Sequence, residues 1–321
     1  MNGKKSIVLT GAAGFIGANL TRTLLKNNFD VHIIIKKTTN IWRIKNVLSK
    51  TTCHYGDLTN SKHVTNVLSK VKPFAIYHLA TYGSYPQQTN IDTMIEVNIK
   101  ATYNLLIASK NIPYHIFVNM GTSSEYGWKN KPMKETDYLK PVSFYGTTKA
   151  SAALLCQTFA YIFQKPIVTI RPFSVYGPYE QGNRFIPTIM NAIIHDTPIK
   201  LTKEMVRRDF IFVDDVVDAL IKLLTVNGDI RGEIFNLGIG KEYSNEEVVK
   251  MLFTITRKKV KVLRGGYKKR SWDTTHWVAN ISHMKKLLSW KPSFSLEMGL
   301  HTTYQWFHDH TKFYETRNKP N

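Results

Sequence analysis

Tyr145 and Lys149 stand four residues apart in Tyr-Gly-Thr-Thr-Lys. That spacing puts a phenol and an ammonium on one face of a helix beginning near Ser143. A phenol with a pKa of about 10 is a poor base at neutral pH, and a nearby cation lowers that value by favouring the phenolate. A pair tuned this way suits proton exchange with an alcohol or carbonyl oxygen. The pattern alone is common on helix surfaces. It gains weight from the hydroxyls of Thr122, Ser123 and Ser124, which follow a strand-like run at 116–120. Ligands of open α/β sheets bind outside the carboxyl ends of the strands, where these hydroxyls would lie.

A second group of residues has the spacing of a phosphate cradle. Thr10-Gly11-Ala12-Ala13-Gly14-Phe15-Ile16-Gly17 joins an apolar run at 6–9 to a stretch with helical spacing at 18–26. Gly11 permits a tight turn, Gly14 lets backbone approach a pyrophosphate, and Gly17 lets the helix pack on the sheet, with N–H donors of the helix start facing the phosphates. This predicts a dinucleotide site. An NAD-preferring site would carry a carboxylate at the end of the second strand, but here Ile33-Ile34-Ile35 runs into Lys36-Lys37. The two lysines favour NADP, with NAD as the alternative and plain surface lysines as the bland reading. Asp57, in Gly56-Asp57-Leu58, is placed to accept from an adenine amino group or to serve as a helix N-terminal carboxylate.

These groups need a scaffold that brings them together. Strand-like runs at 31–35, 74–79, 116–120 and 167–171 alternate with helix-like stretches at 61–70, 94–110 and 146–163. That alternation predicts an α/β fold built on a doubly wound parallel sheet. After Gly177-Pro178 the segments shorten, with a helix at 184–195, a strand at 210–213 and a helix at 215–224. We read residues 1–178 as a nucleotide-binding domain that also takes in about 209–225. Residues 179–208 and 226–311 form a smaller substrate cap, followed by a polar tail at 312–321.

With 321 residues, 43% of them hydrophobic, the chain can bury a substantial core. Two distant cysteines, Cys53 and Cys156, are too few to staple it, and no run of about 18 apolar residues occurs. A reducing, cytoplasmic setting is expected, with no membrane span or signal peptide. The histidines lack metal-ligand spacing, so no metal is expected. The formal charge is +21, and residues 257–270 hold eight basic side chains and no acidic one. A solvated basic surface is the default for such a run; nucleic-acid or membrane contact is the alternative.

The chain resembles the extended short-chain dehydrogenase/reductases of the NAD-dependent epimerase/dehydratase type. The matching stretches run in family order: TGAAGFIG at 10–17, GDL at 56–58, HLA at 78–80, Asn98, TSSEYG at 122–127, YGTTK at 145–149, RPFSVYGP at 171–178, RDFIFVDD at 208–215 and LLSWKP at 287–292. The resemblance implies a Rossmann fold with a nucleotide-diphosphate sugar in the cleft beneath the C-terminal cap. Tyr145 would exchange a proton with the sugar O4, Thr122 would hydrogen-bond that oxygen, and Lys149 would bind the nicotinamide ribose and hold the phenol pKa down. The cofactor would lie against Gly11, Ala13, Gly14, Phe15, Ile16, Gly17, Lys36, Asp57, Leu58, Leu79 and Ala80. Ser123, Ser124, Ser174 and Arg184 would face substrate, with Arg208 and Arg270 on its diphosphate. An ion pair of Arg208 with Asp209 or Asp214 is the structural alternative. A homodimer through 94–110 and 146–163 is implied as well.

Departures from the family narrow the chemistry. The 4,6-dehydratases carry an Asp-Glu pair where this chain has Ser123 and Ser124, and a hydroxyl cannot replace a carboxylate base at neutral pH. Glu125 stands one position too late. Ser174 replaces an Asn that contacts substrate phosphate in many epimerases. Reduction of a 4-keto sugar and reversible C4 epimerisation remain. The stretches 183–190, 208–217 and 278–280 resemble bacterial 4-ketoreductases that make deoxysugar nucleotides, and the lysines after the second strand point the same way. Reduction is therefore the expected reaction and epimerisation with tightly held NAD the alternative. A non-catalytic binder of dinucleotide or nucleic acid is the competing class, which the intact Thr122, Tyr145 and Lys149 disfavour.

Overall fold

The computed structural model describes residues 3–268, 273–311 and 314. Seven parallel strands form the central sheet. Its first half holds β1 (Ser6–Thr10), α1 (Phe15–Lys26), β2 (Asp30–Ile35), β3 (Thr52–Tyr55), α2 (Ser61–Val71) and β4 (Ala75–His78). Then come α3 (Ile91–Ile95), α4 (Ala101–Ser109), β5 (Ile116–Met120), α5 (Phe144–Ile162), β6 (Ile167–Pro172) and β7 (Ser174–Tyr176). The later chain gives α6 (Phe185–Ile194), β8 (Ile199–Leu201), β9 (Arg207–Arg208), β10 (Phe210–Phe212), α7 (Val213–Lys222) and β11 (Ile234–Leu237). It ends with β12 (Tyr243–Ser244), α8 (Asn245–Thr256), β13 (Val262–Arg264), α9 (Ser282–Leu288) and α10 (Leu296–Asp309).

The strand order is β11-β6-β5-β4-β1-β2-β3. Winding reverses between β1 and β4, and the crevice at that switch point is where such sheets take ligands. Helices cover both faces, so β4, β5 and β6 are buried along their whole length and read as continuous apolar runs. Leu20 and Leu24 of α1 are fully buried, each adding about 1.5–3 kcal/mol relative to exposure. A separate apolar core, built around Ile189, Met190, Phe210, Leu252 and Leu300, holds the cap.

Two elements differ from the sequence reading. The last sheet strand is β11, within the stretch read above as cap, whereas 210–212 pairs with β7 outside the main sheet. The helix expected at 94–110 is interrupted by a π-helical turn at Glu96–Lys100. The inserted residue turns Asn98 inward, where its amide accepts from Thr81 Oγ1 and the Tyr82 N–H and donates to Tyr82 O and Thr148 Oγ1. Apolar periodicity carries no sign of a buried polar hub, and π-turns of this kind gather at functional sites.

Candidate active site

The glycine-rich turn opens α1 with the backbone crowded as a phosphate cradle requires. Gly11 has φ +73°, and a Cβ there would lie 2.5 Å from Leu79 C. A Cβ on Gly17 would lie 2.1 Å from Gly11 O, so only glycine lets α1 start this close to the turn. Ala13, Gly14, Phe15 and Ile16 line the same cleft, joined from the next strands by Lys36, Asp57, Leu58, Leu79 and Ala80. The cleft encloses about 1670 Å³. A single drug-sized ligand takes roughly 300–1,000 Å³, so this volume suits a dinucleotide together with a second nucleotide.

Lys36 is not free to favour a 2′-phosphate. Its Nζ lies 2.7 Å from Asp57 Oδ2. Burial would raise the Asp57 carboxyl, but Lys36 and the Thr59 N–H outweigh it and hold the group below its usual range. The ion pair thus brings a carboxylate to the place where the sequence shows only lysines, because Asp57 follows β3 and packs beside the end of β2.

At the other end of the cleft, Ser143 caps α5 by accepting from the Gly146 N–H at 3.0 Å. A Cβ on Gly146 would meet Ser124 O at 2.6 Å, so this glycine lets α5 press against the turn at 122–125. The Tyr145 phenol then lies near the hydroxyls of Thr122 and Thr81, on the wall of the same cleft. Burial pushes the phenol above its usual value, against the Thr122 and Thr81 hydroxyls and the charge of Arg184. The structure therefore differs from the expectation of a depressed phenol, because desolvation dominates. Lys149 is 1% exposed and lies just behind the cleft wall; burial pushes its ammonium down, with the Glu125 carboxylate opposing. An ammonium held here can donate to a ribose hydroxyl. Nearby, His78 bridges Thr10 Oγ1 and Thr102 Oγ1 at 2.8 and 2.9 Å and is pushed down to about 3 by burial, so it is a neutral structural link.

Glu125, idle in the sequence reading, positions the turn. It is fully buried, accepts from the Thr122 N–H at 2.8 Å and pairs with Arg171 Nε at 2.7 Å. Ser123 is also engaged, its Oγ accepting from Trp277 Nε1 at 3.0 Å. Ser124, Ser174 and Arg184 line the cleft, and Arg184 donates to Ser84 O at 3.3 Å across its mouth. Arg208 faces the cleft and pairs with Asp273 at 3.0 Å, not with Asp209 or Asp214. Asp209 instead accepts from the N–H groups of Ile239, Gly240 and Ala279. Arg270 lies outside the described residues. Thr81, Trp277 and Asp273 carry no motif signal; only chain folding brings them here. Among the described residues no cluster of His, Cys, Asp and Glu could hold a metal, and no helix is long and apolar enough to cross a membrane.

Glu180, 6% exposed, lines the cleft wall between Arg43 and Arg184, and its Oε2 has no hydrogen-bond partner. Burial raises it to about 8, with Arg184, the Gly177 N–H and Arg43 opposing. The folded protein thus holds a proton that the unfolded chain, with an ordinary value of 4.5, releases. This group lowers stability as pH rises from about 4.5 to about 8. Glu180→Gln is expected to raise stability near pH 8 and to flatten the pH dependence of denaturant midpoints across that window. Parallel midpoint curves for the two proteins would refute it.

A model of the NAD dependent epimerase/dehydratase family matches residues 7–238. UDP-glucuronate 4-epimerase of Thermodesulfobacterium geofontis is 31% identical over 311 residues, covering 93% of this chain and 95% of that protein. The crystal structure of UDP-glucuronic acid 4-epimerase from Bacillus cereus, in complex with UDP-glucuronic acid and NAD, superposes with a TM-score of 0.83 at 29% identity. It covers 95% of this chain and 99% of the other. UDP-N-acetylglucosamine 4-epimerase from Methanobrevibacter ruminantium does so with a TM-score of 0.86 at 26% identity, again over 95% and 99%.

Proposed function

Because the chain belongs to the NAD-dependent epimerase/dehydratase family, whose members act on nucleotide sugars, we propose that it is a C4 epimerase of UDP-linked sugars working with retained NAD. The observation that carries this reading is that Tyr145 and Thr122 line one cleft wall, with the nearby Glu125 carboxylate already committed to Arg171. A lone acid/base can take a proton from O4 and return it, whereas dehydration needs further bases at C5 and C6. Relatives that are 4-epimerases favour epimerisation over the 4-keto reduction expected from the sequence. The Lys36–Asp57 pair and the NAD in a structural neighbour likewise favour NAD over NADP.

NAD, when bound on the glycine-rich turn, supplies hydride acceptance and return at C4. Lys149 holds the nicotinamide ribose and Thr122 fixes O4. Tyr145 removes the O4 proton and later restores it after the keto sugar has presented its other face. Arg208 and Arg184 supply positive charge for the substrate diphosphate. The same reading includes a homodimer: α4 and α5 pack together and leave Tyr103, Ile107, Leu154 and Tyr161 exposed, an apolar surface that a second copy would cover.

The test is incubation of the purified protein with UDP-glucuronate, UDP-glucose and UDP-N-acetylglucosamine, without added dinucleotide. A C4 epimer detected by NMR from at least one of them is expected. Consumption of NADPH on a 4-keto-6-deoxy sugar nucleotide, with no epimer from any UDP-sugar, would restore the reductase.

A further inference from the structure

Tyr179 has φ +71°, a left-handed backbone that costs a bulky residue roughly 1–2 kcal/mol and persists only where neighbours enforce it. It sits in the loop that leaves the sheet domain for the cap, beside the cleft-lining Glu180. Three segments distant in sequence hold it. From α1, Arg22 lies 4.1 Å over its ring, and Asn19 donates to Pro178 O at 3.1 Å. From the loop after β2, Arg43 donates to Tyr179 O at 2.7 Å and to Gln181 Oε1 at 2.8 Å, while also reaching Ala13 O in the glycine-rich turn at 3.5 Å. From the C-terminal side, Trp306 packs on the Tyr179 ring at 4.8 Å. Tyr314 donates to Glu180 O at 2.8 Å, with its ring stacked on Phe307 at 4.5 Å and edge-on to Trp42 at 6.1 Å.

These contacts fasten the loop, and one of them reaches the glycine-rich turn. Arg43 spans the cradle and the cap loop in one side chain that is 7% exposed, and Thr38, Thr39 and Asn40, just before it, line the cleft. Through Arg43 the 179–181 loop is tied to Ala13 of the cradle, and Tyr314 and Arg22 hold the same loop from the other side. We propose that this aromatic–arginine clasp, closed by Tyr314, retains the dinucleotide between turnovers, with Tyr314 and Arg22 as positioning residues. The need for retention rests on the epimerase reading, since an enzyme that both removes and returns one hydride gains nothing by exchanging its cofactor. A dehydrogenase that swaps cofactor every cycle would be slowed by such a clasp.

The experiment measures the release rate of added NAD from the full-length protein, by dilution into a NAD-scavenging enzyme, for wild type, Tyr314→Ala, Tyr314→Phe and Arg22→Met. Tyr314→Ala and Arg22→Met are expected to release NAD at least tenfold faster and to purify with less NAD bound. Their lost turnover should return when NAD is supplied at saturation, so that the NAD requirement changes and kcat does not. Tyr314→Phe keeps the ring stack and is expected to fall between them and wild type. Should Tyr314→Ala fail to fold, Arg22→Met decides, because it removes a half-buried cation and leaves the aromatic stack in place. Release rates within twofold of wild type in the folded variants would overturn the clasp. Because release is measured on added NAD, a wild type that binds NAD and epimerises nothing would sink the epimerase reading alone.

Discussion

A Tyr145→Phe variant is expected to lose roughly 10²–10⁴-fold in kcat, the range for removal of a positioned proton-transfer group, while its fold and bound NAD stay at wild-type levels. The phenol oxygen lies near the Thr122 and Thr81 hydroxyls and forms no ion pair among the described residues, so its removal leaves no buried charge unpaired. The ring itself still fills the wall of the cleft. Lys149 is held in α5 independently of that oxygen and keeps its place behind the cleft. NAD content by extraction, melting temperature and epimer formation by NMR separate the possibilities. A Tyr145→Phe protein that retains activity would remove Tyr145 from the mechanism; one that loses NAD as well would show that the phenol's main task is cofactor binding. Thr122→Val should cost less, because Tyr145 can still reach O4 without the second hydroxyl to fix its aim.

Where chemistry depends on local chain geometry, the sequence is informative. The turn at 10–17 needs glycines at fixed offsets, and Tyr145 and Lys149 need one helical turn between them to share a helix face, so residue spacing alone brings both to attention as candidates. The strand alternation likewise announces the doubly wound sheet. What stays hidden depends on partners brought together only by tertiary folding. Lys36 reads as a 2′-phosphate ligand because Asp57, which neutralises it, follows a different strand. Arg208 reads as a diphosphate ligand or a partner of its sequence neighbours, and its carboxylate is Asp273, 65 positions away. Trp277 reaches Ser123 from 154 positions away in a segment with no periodic signal. The choice between reduction and epimerisation is harder still to read, since both use the same tyrosine and threonine.

The second large effect is expected at Arg171, which lies behind the cleft-lining turn at 122–124. Its guanidinium is 1% exposed, donates to Glu125 Oε2 at 2.7 Å and to Tyr126 Oη at 2.9 Å, and lies over the Tyr126 ring at 4.6 Å. Arg171→Met would keep much of the volume but strand the Glu125 carboxylate in a site with 0% exposure. Breaking one side of a buried pair costs about 3–5 kcal/mol, a large share of the roughly 5–15 kcal/mol by which domains are stable. The Glu125→Gln/Arg171→Met double variant removes the charge as well, and its amide oxygen can still accept from the Thr122 N–H. It should recover most of the loss, because a buried ion pair replaced by neutral groups of similar size is often nearly neutral in stability. Denaturant midpoints of the two single variants and the double variant close the thermodynamic cycle. A double variant as unstable as Arg171→Met alone would place the cost in packing around Tyr126 instead. The activity of the double variant carries the remaining information: if Glu125 serves only to hold the Thr122 turn, a folded protein with glutamine there should epimerise within about tenfold of wild type, a cost of no more than about 1.4 kcal/mol in the barrier.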